Sequence, residues 1–313
     1  MKKLWLITLL LINYQNINAQ YTEIINSKRP GLSESPYGVG TDVLQIEGGV
    51  FYGKSKSDEP IAIVDPFGAS VFLRYGKFIE KLEVNANIAY QKNKLLYNDG
   101  ITPSTNINGI SRLTIGAKYM IFQKEFDDKS KEIRSWKKRT AFDKKRLIPS
   151  IGLYAGVNTN FLGEEYKDEK MSYKGAVLLQ NDFSDRLVLI TNIIADNITS
   201  DFSVYSYILT MTYALTNRWS IFGEHQGDFY KNSNNNFQLG AGVAYLFSRD
   251  FQIDAAIRSN FSTTESAFVG GIGASYRFDW HQDKEILVDE NGNEMKPAKR
   301  EGFFKRIFKK KKK

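Results

Sequence analysis

Over segments of about ten residues this chain alternates apolar residues with polar or small ones, again and again, and that period of two restricts its fold more than any other feature. From Lys81 to Gln91, Leu82, Val84, Ala86, Ile88 and Tyr90 fall on one face, and Lys81, Glu83, Asn85, Asn87 and Gln91 on the other. Phe237 to Phe247 repeats the pattern, with Leu239, Ala241, Val243, Tyr245 and Phe247 against Gln238, Gly240, Gly242 and Ala244. Twelve such segments follow one another, near 43–52, 67–76, 80–91, 109–122, 147–159, 173–183, 186–197, 202–215, 218–228, 237–247, 251–260 and 268–278. Each has about the length a tilted strand needs to cross a bilayer, and an even number suits closure. The chain is therefore read as all-β, a closed antiparallel transmembrane β-barrel of about 12 strands, with one face of each strand turned to lipid and the other to water.

Two further features support a membrane barrel. Beyond residue 20 no continuous apolar run approaches the roughly 18 residues that a transmembrane helix requires. At the start, Lys2 and Lys3 precede an apolar run from Leu4 to Ile12 and a polar stretch ending at Ala19, the pattern of a secretory signal peptide over 1–19. The absence of cysteine removes disulfides, thiolate metal sites and a lipoprotein anchor. An exported chain of this kind belongs in the outer membrane of a Gram-negative cell. The competing architecture is a soluble β-sandwich, which also alternates, but twelve consecutive two-faced segments on an exported chain are unusual for that class.

The connections obey the parity of an up-and-down barrel whose ends both face the periplasm. Residues 183–186, 215–218 and 247–250 are tight and fall on that side, whereas 53–66, 92–108, 161–172 and 229–236 fall outside. The exception is 123–146, a long periplasmic link with ten basic residues against five acidic. Aromatic residues gather near strand ends, among them Tyr52, Tyr75, Tyr90, Tyr213, Trp219, Phe237, Phe247, Phe251, Phe268 and Phe278, as rings at a membrane interface do.

Ahead of the first strand the chain reads Lys28-Arg29-Pro30-Gly31-Leu32-Ser33-Glu34-Ser35-Pro36-Tyr37, and the strand itself opens Leu44-Gln45-Ile46-Glu47-Gly48-Gly49. Arg29-Pro30, Ser35-Pro36 and Gln45-x-Glu47 resemble the opening of the outer-membrane family called MetA-pathway of phenol degradation. The resemblance is specific over 28–49 and architectural over the remaining strands. It departs from the family at Lys28, where an Asp usually stands, and in the 35 residues after Phe278. It implies an exported barrel with a transport role, for small solutes of aromatic or hydrophobic kind. The final strand, ending Ser275-Tyr276-Arg277-Phe278, resembles the signal taken up by the outer-membrane assembly machinery.

With the apolar faces outward, parity assigns the lumen. Candidate pore-lining residues are Glu47, Arg74, Lys81, Glu83, Asn85, Arg112, Lys118, Glu224, Asp254 and Arg258. Two readings of this mixed-charge interior compete: a polar pathway that selects solutes electrostatically, and residues that pair across a narrow barrel and fill it. A twelve-strand barrel is intermediate in width, so size does not decide. Residues 20–42 are read as a plug-like segment, whose Arg29, Pro30, Glu34, Ser35 and Pro36 form its motif; the prolines and Gly31, Gly38 and Gly40 suit an irregular chain ordered against a polar lumen.

No residue pattern points to catalysis, a cofactor or a metal. His225, in Glu224-His225-Gln226, is the one histidine placed where a lipid hydrolase could use a base, and a plain interfacial histidine is the blander reading. The Gly-x-Gly pairs at 38, 240 and 271 lack the helix that a phosphate loop requires.

The formal charge of +8 is concentrated in 123–146 and 281–313, each contributing +5. The domain plan is thus a signal peptide, the segment 20–42, the barrel 43–280 and a basic tail 281–313. Tail residues Gly302 to Phe308 followed by five lysines suit an interfacial helix, and equally a solvated tail. The partners implied are the lipid bilayer, the assembly machinery, a small-molecule solute and an anionic periplasmic partner for the basic tail, with no role for nucleic acid. The functional expectation is an outer-membrane channel or uptake barrel; the alternative is a non-conducting barrel that anchors the basic segments to a partner or the cell wall.

Overall fold

A computed structural model describes residues 24–57, 61–77, 79–97, 99, 101–124, 144–167, 170–200, 202–231, 234–261 and 265–281. The stretch 1–19, most of the basic link and nearly all of the tail lie outside the described residues. Residues up to Asp279 form one compact unit.

Within it, twelve antiparallel strands close into a barrel in strict sequence order, the last pairing with the first. They are β1 (Val43–Ser57), β2 (Ile61–Gly76), β3 (Leu82–Tyr97), β4 (Thr105–Phe122), β5 (Ser150–Asn158), β6 (Ser172–Asp182), β7 (Leu187–Ile198), β8 (Val204–Ala214), β9 (Trp219–Tyr230), β10 (Asn236–Ser248), β11 (Phe251–Phe261) and β12 (Glu265–Asp279). All twelve predicted segments are strands. Closure satisfies every edge, the condition a sheet must meet in hydrocarbon.

The first four strands run well past their predicted ends, so much of 53–66 and 92–108 is hairpin ladder and not loop. Ile61 pairs with Tyr97, Leu95 with Thr105 and Lys54 with Phe268. Lys54, Ser55 and Lys56 are polar in succession and Ala62, Ile63 and Val64 apolar in succession, so main-chain pairing continues there without alternation to mark it. Pro66, which has no N–H to donate, sits where the β2–β3 register shifts between Val64 and Phe67.

The tight turns owe their shape to hydroxyls. Ser184 Oγ accepts from the N–H groups of Arg186 and Leu187, Thr216 Oγ1 from those of Arg218 and Trp219, and Ser248 Oγ from that of Asp250. Beside these turns aromatic rings form two contact runs: Trp219 on Tyr245 at 4.7 Å, and Phe247, Phe251, Tyr276 and Phe278 in succession, the last two at 4.8 Å.

Burial is inverted relative to a water-soluble protein. Ile272, Ile193 and Ile257 are more than half exposed on the outer face, while Arg74, Lys118, Glu47 and Glu83 are each 1% exposed or less. Apolar surface outside and charge inside is the arrangement that lipid around a water-adapted lumen selects.

Candidate functional site

The inward side chains converge on the segment that precedes β1. Ile24 to Asp42 has no regular secondary structure, yet its main chain is engaged at many points by the barrel wall. Among the described residues, six of its N–H groups donate to wall side chains. Lys28 and Arg29 donate to Glu47, Leu32 and Ser33 to Glu224, Glu34 to Asn192 Oδ1 at 2.6 Å, and Val39 to Glu83. Six carbonyls accept in return: Asn26 from Gln45 and Arg74, Arg29 from Gln252, Pro30 from Arg258, Glu34 from Asn192, Ser35 from Lys118, and Tyr37 from Arg74. An irregular chain away from water must find partners for these groups, and here side chains of seven strands supply them.

The charges form an alternating chain. Arg74 grips Glu83 with Nε and Nη2, both at 2.9 Å, and reaches Glu47 at 3.2 Å. Lys118 lies 3.5 Å from Glu83 and 3.1 Å from Glu34 of the segment, and Lys28 lies 3.9 Å from the other oxygen of Glu34. Each charge of this chain thus has a partner of opposite sign, the condition for tolerating ions away from water. Burial alone would push the Glu34 carboxyl up, but Lys118, Lys28 and Arg74 outweigh it and hold the group at about 2. For Lys28, burial lowers the ammonium pKa and the nearby Lys174 and Arg112 add to this against the pull of Glu34 and Glu47.

A second anchor is Arg29, which stands in a turn and joins Pro30 by a cis peptide. Its Nη2 and Nε donate to Asp254 at 3.0 and 3.3 Å, and its guanidinium lies flat against Gly49 and Gly273. A Cβ at either glycine would collide with it. Pro36 is seated in the same way on Gly152, where an added Cβ would lie 3.0 Å from the proline ring. Ser35 Oγ donates to Gln180, and the Tyr37 hydroxyl lies 2.9 Å from Ser150 Oγ.

Of the sequence candidates, Glu47, Arg74, Glu83, Lys118, Glu224, Asp254 and Arg258 all touch the segment or a residue bound to it. Asn85 points inward and is buried, with neither amide atom bonded among the described residues. Arg112 also points inward, toward the longer connections, and is exposed there. Lys81 lies in the turn before β3, where its carbonyl accepts from Met120. His225 faces the outer surface between Leu209 and Leu239, stacked on Tyr207 at 5.6 Å, while its neighbour Glu224 points to the lumen.

Residues 27–278 match the family described as MetA-pathway of phenol degradation. The chain belongs to this family. Among solved structures, the COG4313 outer membrane channel from Pseudomonas putida F1 is 10% identical, with a TM-score of 0.51 over 81% of this chain and all of that one. The CymD monoaromatic hydrocarbon channel is 12% identical, with a TM-score of 0.45 over 77% of this chain and 90% of that one. The translocator domain of the autotransporter NalP from Neisseria meningitidis is also 12% identical, at a TM-score of 0.45 over 75% and 88%. At such identities the likeness is one of fold, that of an outer-membrane β-barrel. No curated protein matches the chain.

For this member of the phenol-degradation family, the residues that sequence reasoning did not place in the site are Ser27, Tyr37, Gly49, Gly152 and Gly273. Ser27 Oγ donates to Glu47 and lies 2.7 Å from Ser275 Oγ, joining the segment to β1 and β12. The glycines had a signal: each occupies an inward strand position, where a missing side chain marks close approach by another part of the molecule.

Proposed function

We propose that this chain is a passive outer-membrane channel for small solutes, closed near its short-turn end by residues 24–42. The observation that carries the reading is the nature of the seal. The segment is held mainly by hydrogen bonds and ion pairs, contacts that water can replace, with Ile25, Pro36 and Val39 as its few buried apolar side chains. A seal of that kind separates from its wall while exposing little hydrocarbon to water, chiefly Ile25, Pro36 and Val39. The polar inward face continues beyond the segment along Thr114, Asn158, Gln238 and Asn260, which suits a hydrated path.

Reconstitution of the mature chain in planar bilayers tests this. The expected record is a low basal conductance with brief steps, and long-lived steps once residues 20–42 are removed. Silence from the shortened chain, with the barrel intact by heat-modifiable gel mobility, rules the channel out. A second reading, the non-conducting anchor for the basic segments, draws on the same contacts: twelve main-chain groups and an alternating ion chain are a large commitment to a closed lumen. It predicts that silence.

A further inference from the structure

We propose that the half of the lumen facing the longer connections is a subsite for small hydroxyl-rich carboxylates, the class of the sugar acids. The inference rests on the channel reading above and names its solute. Above the segment, the wall changes from charge pairs that hold peptide groups to a ring of hydroxyls and amides. Thr114 Oγ1 donates to Asn158 at 2.6 Å, and Asn158 in turn bonds Ser172, Asp196 and Asn197. Across the lumen Gln226 donates to Asp228, which also takes the Ser206 hydroxyl at 2.6 Å, and Gln238 donates to Asn260. Most of these side chains are half-buried, so they face space that a solute can enter.

A hydrocarbon passing such a ring would strip water from amides and hydroxyls and return no hydrogen bond, at a cost of about 1–3 kcal/mol for each group left bare. A polyol replaces that water group for group. The lining therefore favours hydroxylated solutes over the aromatic ones that the family resemblance implies.

The carboxylate is added by one unbonded guanidinium. Both acids of the ring are already engaged, Asp196 by Lys174 at 2.7 Å and Asp228 by Ser206 and Gln226. Arg112, by contrast, is exposed into this space and has neither a hydrogen bond nor an ion pair among the described residues. From the floor, Lys28 stands over the Phe72 ring at 4.9 Å, and its acid, Glu34, is shared with Lys118 at the shorter distance. Arg112 thus keeps its fork open, whereas Asp228, which has no ion pair among the described residues, is buried and already takes hydroxyl and amide donors on both oxygens. A guanidinium that keeps its fork free is suited to a carboxylate.

Saturation-transfer NMR on the full mature chain in micelles, with gluconate, glucose, glucosamine and phenol as probes and empty micelles as control, reads binding without requiring an open path. Gluconate is expected to give the strongest signal, then glucose, with glucosamine weakest. Arg112→Gln should weaken gluconate about tenfold and leave glucose unchanged. Phenol above its micelle control with gluconate silent overturns the proposal, as does an Arg112→Gln chain that holds gluconate unchanged. A chain that binds gluconate but passes no current would refute the channel and leave the subsite standing; one that conducts and ignores gluconate would do the reverse.

Discussion

Replacing Arg29 by alanine is the sharpest probe of how the segment is held. The change removes two charge-assisted hydrogen bonds, leaves Asp254 with a fully buried side chain and no counter-ion from the segment, and empties the seat against Gly49 and Gly273. Breaking a buried ion pair costs on the order of 3–5 kcal/mol, and the 21% exposure of the Arg29 side chain places this one at the low end. At about 3 kcal/mol the equilibrium between seated and released segment shifts roughly a hundredfold. Hydrogen exchange by mass spectrometry measures that equilibrium directly, because the N–H groups of Lys28, Arg29, Leu32, Ser33 and Glu34 are protected only while seated. The expected result is exchange about a hundredfold faster across 28–34, with the strands unchanged. Adding Asp254→Ala removes the stranded charge and should recover about tenfold of the loss. If exchange across 28–34 in Arg29→Ala stays within about threefold of the parent chain, the segment does not depend on this anchor and the reasoning fails.

Other perturbations reach the same structure by different routes. Gly273→Val keeps every charge but occupies the guanidinium seat; on a β-strand valine is well tolerated, so the barrel should fold while exchange across 28–34 rises as in Arg29→Ala. Acid should release the segment through Glu34: its carboxyl is held at about 2 against an ordinary 4.5, so its contribution is complete above pH 4.5 and is lost as pH falls toward 2. Pepsin cleavage before β1 at pH 2 compared with pH 4.5 checks this, and in Glu34→Gln that difference should shrink. Deleting 302–313 should leave conductance unaltered if the barrel itself is the channel; a loss of conductance would tie the basic tail to the pathway.

Much of the barrel was legible because its rule is local. Two-residue alternation decides which side chains face lipid, and the outward Leu82, Val84 and Ile88 or the inward Glu47, Arg74 and Glu83 follow from it without knowledge of any neighbour. Strand number, strand order and the tight turns at Ser184, Thr216 and Ser248 are short-range properties of the same kind. The long ladders of β1 to β4 were not legible, since their outer ends run polar or apolar in succession and are strands only through the partner they pair with.

What occupies the lumen was decided only by closure. Asp254 stands 225 residues from Arg29 and Glu224 stands 191 residues from Ser33, and nothing in either stretch announces the other. The contacts exist because twelve strands at this register curve the wall to a radius at which acids and amides from opposite sides reach the same extended peptide. Sequence by itself determined which residues face inward. The tertiary structure determined that, at one end, those residues meet a chain instead of water, because only a closed wall sets the distance across.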